Sequence, residues 1–60
     1  MKRNDLIRLL IANGCILHRH GGRHDIYANQ SGAKSPVPRH VEIKDSLVRI
    51  ILKQLNISSD

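Results

Sequence analysis

The sequence predicts an α+β domain of order α-β-β-β-α, in which two helices pack on one face of a three-stranded antiparallel sheet. Helix-spaced residues stand at each end: near the start Leu6, Leu9, Leu10 and Asn13 lie at i, i+3, i+4 and i+7, with Ile7 and Ile11 widening the apolar arc. Leu47, Ile50, Ile51 and Leu55 form a similar stripe near the finish. Between them lie short strand-like runs, broken at Gly21-Gly22 and again in the polar stretch 29–34.

Helix one is expected over about residues 4–13. Asn4 is placed to cap it, Asp5 suits the positive first turn, and Gly14 can close it in the left-handed region. Residues 15–20 read as a strand and 24–28 as its hairpin partner, the two glycines supplying the positive φ of a tight bend. Parity leaves the buried face open. Cys15 and Leu17 fall on one side of the first strand and Ile16, His18 and His20 on the other. In the second strand Ile26 falls with His24, and Tyr27 with Asp25. Residues 35–38 form a third strand at an edge, where prolines are tolerated because they cannot donate to a ladder. Helix two begins at Lys44 or Asp45, with Val48 and Leu52 beside its inward stripe and partly exposed. Asp45, Arg49 and Lys53 recur on its outer side, acid first and bases last, as the helix dipole favours. The tail 56–60 is expected to fray.

Sixty residues make one domain, 1–60, ordered over about 3–56. Cys15 is the single cysteine, so no internal disulfide can form, and it reads as a small buried hydrophobe. No apolar run approaches the roughly 20 residues of a membrane span and nothing reads as a secretory signal, so a cytoplasmic protein is expected.

Ten Lys and Arg against five Asp and Glu give a formal charge of +5. Residues 18–44 hold five of these cations, all four histidines and only two acids, Asp25 and Glu42. Such a segment suits a polyanion, nucleic acid first among them; solvated charge that merely keeps a small protein soluble would look the same. Tyr27 is the only aromatic residue, so base stacking is disfavoured and contacts should be to phosphate and sugar.

Within this segment His24 follows a tight turn and an arginine, as a general base acting on a phosphodiester would need. The plainer alternative is one surface histidine among four. His40 is either a general acid for the leaving oxygen or a residue that orders the loop into helix two. Arg19, Arg23 and Arg39 are candidates to neutralise developing phosphorane charge or to bind phosphate, and Lys34 belongs to the same basic, RNA-binding set. His18 and His20 stand two apart, but structural zinc asks for four ligands, and one cysteine serves it poorly; no metal and no cofactor are expected. A non-catalytic nucleic-acid-binding module and a pure interaction protein remain as alternatives.

Four segments together resemble the HicA family, the small mRNA-cleaving toxins of bacterial toxin–antitoxin pairs. Leu6-Ile7-Arg8-Leu9-Leu10 followed by Asn13-Gly14 resembles the family's first helix and its glycine stop. Arg19 with Gly22-Arg23-His24 resembles its Arg…Gly-Ser-His segment, and Val37-Pro38-Arg39-His40 its Val-Pro-x-His. The run from Ser46 through Gln54 resembles its Thr-Leu-x-x-Ile-Leu-Lys-Gln helix. Arg23 stands in place of the usual serine, Cys15 in place of a frequent aromatic, and Asp45 where glycine is common. The resemblance implies a small relative of the double-stranded-RNA-binding domain, cleaving mRNA without metal and so inhibiting translation. It also implies a HicB-type antitoxin partner, a toxin that is monomeric when free, and the catalytic histidine at His24.

Overall fold

A computed structural model of the chain describes residues 1–58. It contains α1 (Arg3–Ala12), β1 (Ile16–His20), β2 (His24–Ala28), β3 (Lys34–Pro38) and α2 (Asp45–Gln54), the predicted order. The strands form one antiparallel sheet in the order β1-β2-β3. Residues 59–60 of the tail expected to fray lie outside the described residues.

Helix α1 starts one residue earlier than expected, and Asn4 is not its cap. Lys2 occupies that position with extended backbone and no side-chain cap. Its start is set by a chain segment instead: the Arg3 N–H donates to the Val41 carbonyl (2.8 Å), and Lys2 bridges Glu42 in antiparallel fashion. A backbone carbonyl thus satisfies an amide that helix geometry leaves without a partner.

Both helices end in the same way. In α1 the Gly14 N–H donates to Ile11 O (3.0 Å) and the Cys15 N–H to Leu10 O (2.9 Å), with Gly14 at φ 82°. In α2 the Asn56 N–H donates to Lys53 O (3.1 Å) and the Ile57 N–H to Leu52 O (2.8 Å), with Asn56 at φ 58°. Each is a Schellman closure with a left-handed residue after the cap. The segment from Asn56 is therefore not frayed where it is described, since Ile57 packs back onto the core.

The core unites Leu6 and Leu10 of α1 and Cys15 with Tyr27 and Val37 of the sheet. Ile43, Val48, Ile51, Leu52 and Leu55 complete it, which places both helices on the same sheet face. Removing such side chains from water contributes about 1.5–3 kcal/mol each. Helix α2 is rotated from the expected setting. Val48, Ile51, Leu52 and Leu55 point inward, Leu47 is half-buried, and Ile50 is 52% exposed. Its apolar arc is wider than the face the sheet can cover, and the packing selects the set at 48, 51, 52 and 55.

The sheet also decides its buried side. Asp25 and Tyr27 of β2, with Ser35 and Val37 opposite them on β3, face the helices. His24 and Ile26 face the open side. A bulge between Leu17 and Arg19 then breaks the parity of β1: Leu17 pairs with Tyr27, Arg19 with Ile26 and His20 with Asp25. His20 therefore shares the helix side with Leu17, where uninterrupted alternation sets it apart.

Candidate active site

His24 opens β2 directly after the turn formed by Gly21, Gly22 and Arg23. These glycines do not supply positive φ; among the described residues only Gly14, Gly32 and Asn56 lie there. Gly21 is needed for room. Its N–H donates to the His24 carbonyl at 2.7 Å, and a Cβ at that position would lie 2.8 Å from the same oxygen. The turn thus closes directly on the backbone of His24, and the imidazole is left exposed.

Two open clefts meet at this residue. Gly22, Arg23, His24, Arg39 and His40 line the first. The second is lined by His24, Pro38, His40, Glu42, Ile43, Lys44 and Leu47. His24 and His40 are common to both, so the fold brings together two histidines that lie 16 positions apart in the chain. Arg23 and Arg39 make the first cleft cationic, while Pro38, Ile43 and Leu47 give the second an apolar floor.

The remaining candidates are placed differently. Arg19 is exposed and pairs with Ile26, which sets it on the open sheet face with His24. Lys34 is exposed at the other end of the β2–β3 ladder, opposite Ala28, whereas His24 is opposite Pro38. At a rise of about 3.3 Å per residue, that places Lys34 roughly 13 Å along the strand, outside either cleft. Arg39 lines the first cleft, but most of its donors are already engaged. Its Nε and Nη2 donate to Asp25 Oδ1 (3.0 and 2.8 Å), Nη2 also to Gly21 O (2.9 Å), and Nη1 to Gly22 O (3.0 Å).

Asp25 is the functional-site neighbour that sequence reasoning passed over. It is buried, with 8% of its surface exposed, on the helix side of the strand that shows His24 to solvent. Arg3 Nη2 donates to its Oδ2 (2.7 Å), and His20 Nδ1 donates to its Oδ1 (2.8 Å). Arg3 Nε also holds the Pro38 carbonyl at 2.8 Å. Hydrogen bonds from Arg39 foremost, and from His20, hold the Asp25 carboxyl down at about 2 against the opposing effect of burial. The available signal was one of only two acids within a basic stretch, where an unpaired charge could not be buried. Burial of Cys15 pushes its thiol pKa up, as befits a core residue.

A family model describing the HicA toxin of bacterial toxin–antitoxin systems matches residues 3–57. The chain belongs to the HicA toxin family. Membership gives this HicA chain the toxin's place in a toxin–antitoxin pair, and with it a cognate antitoxin. Neither the curated proteins nor the solved structures yield a match. Among the described residues of this HicA chain, no helix is long and apolar enough to cross a membrane. Nor do three or more His, Cys, Asp or Glu side chains converge there as a metal site would require.

Proposed function

We propose that this HicA toxin is an endoribonuclease that cleaves mRNA by its own 2′-hydroxyl, with His24 as the general base. The observation that carries the reading is the sharing of both clefts by His24 and His40, with two arginines lining one of them. His24 removes the proton of a ribose 2′-OH, and the 2′-oxygen attacks the adjacent phosphorus. The phosphorus–5′-oxygen bond breaks, the leaving oxygen takes a proton from His40, and the products are a 2′,3′-cyclic phosphate and a 5′-hydroxyl end. Arg23 stabilises the charge that gathers on the non-bridging oxygens, whereas Arg39 is committed to Asp25 and the carbonyls of Gly21 and Gly22. Arg19 extends the phosphate track along the open sheet face, and Lys34 serves it at the far end. The nucleophile belongs to the RNA, so the chemistry calls for no metal.

The monomeric toxin in the cytoplasm is held inactive by a HicB-type antitoxin. An acidic partner is steered by the basic segment and held by apolar burial, covering the clefts and excluding RNA.

The test is cleavage of a labelled RNA and of its DNA counterpart by wild type and His24→Ala, each with and without EDTA. General-base catalysis contributes about 10²–10⁴-fold, so the variant loses nearly all cleavage while RNA binding changes little. Wild type cleaves RNA in EDTA and leaves DNA intact. Undiminished cleavage by the variant removes His24 from the mechanism. Binding without cleavage by either protein identifies a non-catalytic module.

A further inference from the structure

We infer that the Asp25–Arg39 ion pair is the positioning device of this site, setting the separation and orientation of His24 and His40 while touching neither substrate nor reacting atoms. The inference rests on the ribonuclease reading of those two histidines. His24 immediately precedes Asp25, and His40 immediately follows Arg39. The pair therefore joins the two backbone segments that carry the histidines, each one residue from its partner.

The linkage is redundant in a way that a lone ion pair is not. Oδ1 of Asp25 receives Nε and Nη2 of Arg39, a forked contact that fixes the guanidinium plane. The same guanidinium holds the carbonyls of Gly21 and Gly22, the turn that delivers His24. On the other oxygen, Arg3 ties the carboxylate to α1, and its Nε secures the Pro38 carbonyl just ahead of Arg39. His20 adds a bond from β1. Four parts of the chain thus meet at one carboxylate. It lies behind the strand, whereas His24 stands on the open face. Asp25 can act on the chemistry only through the backbone and Arg39.

A positioning role and a charge role predict opposite effects on substrate binding. Asp25→Asn keeps the side-chain size and an acceptor oxygen but removes the negative charge from a cationic surface. RNA affinity then stays level or rises. Positioning is lost, however, and a misplacement of about 1 Å costs on the order of 10²-fold in rate. We expect kcat to fall by at least about tenfold with KM unchanged or lower. Arg39→Lys, which keeps the charge but not the fork, gives the same loss in kcat. In both variants the ring resonances of His24 and His40 shift by NMR, while the amide resonances of α2 stay in place.

His24→Ala is assayed beside them. If it is inactive while folded Asp25→Asn and Arg39→Lys keep wild-type kcat, the positioning inference is overturned and the ribonuclease reading stands. If His24→Ala cleaves like wild type, the catalytic reading of His24 fails, and the two ring resonances alone decide the positioning: unmoved signals overturn it. Should Asp25→Asn not fold, Arg39→Lys decides, wild-type kcat overturning the inference and a lower kcat at unchanged KM supporting it.

Discussion

At the scale of single residues, Asp25 shows how a basic surface is built around one buried acid. Its carboxylate accepts hydrogen bonds from Arg39, His20 and Arg3, and those from Arg39 foremost and His20 keep its pKa at about 2, below the ordinary carboxylate value. A depressed pKa means that the folded state binds this proton less readily than the unfolded chain. The contribution of Asp25 to stability is therefore complete at neutral pH and is lost as pH falls from about 4 through about 2. Urea denaturation at pH 6, 4 and 2.5 checks this: the midpoint should fall across the series in wild type and fall less in Asp25→Asn. Equal slopes in the two proteins would assign the acid sensitivity to other groups.

Among the elements, the two helix ends and the rotation of α2 carry the clearest consequences. Asn56 holds a left-handed conformation that closes α2 and returns Ile57 to the core. A β-branched residue is strained there, and leaving the right-handed region costs roughly 1–2 kcal/mol. Asn56→Val should lower the unfolding free energy by about that amount, whereas Asn56→Gly should be tolerated. Chemical denaturation resolves the two, and an unchanged midpoint for the valine variant would contradict the closure. The inward setting of α2 is tested in the same way. Leu52→Ala removes a buried side chain and should cost about 2–5 kcal/mol. Ile50→Ser changes an exposed residue and should stay within about 0.5 kcal/mol. Reversal of that order would restore the stripe that periodicity suggests.

For the whole molecule, the governing quantity is charge. With a formal charge of +5 on sixty residues and a basic middle segment, the proposed RNA binding is expected to rest mainly on phosphate contact. Condensed counterions are released on binding, so affinity should fall steeply between low and moderate salt and vary little among RNAs of unrelated sequence. Fluorescence anisotropy at two ionic strengths measures both, and a flat salt response would sink the electrostatic account. The same charge should draw the antitoxin. Arg23 is the cleaner probe of that contact, because it is exposed at the first cleft while Arg39 is committed to Asp25 and the turn. Arg23→Glu should weaken the complex chiefly through slower association, readable by surface plasmon resonance. An unchanged association rate would place the antitoxin elsewhere.

The sequence by itself determined the number, type and order of the elements. Helical spacing and strand-like runs are local properties, and so is the demand of Gly14 for the left-handed region. It also marked His24 as the residue to watch and linked the chain to the HicA toxins through four short segments. Tertiary structure decided which of two apolar arcs on α2 turns inward, because the sequence makes both wide enough and only the facing sheet can choose. It decided the buried side of the sheet, which parity left open, and placed the bulge in β1 that returns His20 to the helix side. It placed His40 beside His24, and gathered Arg3, His20 and Arg39 on Asp25. Hydrogen bonds between residues 5, 14 and 22 positions apart leave no periodic trace in a sequence, because they depend on where folded elements cross and not on the order of their residues.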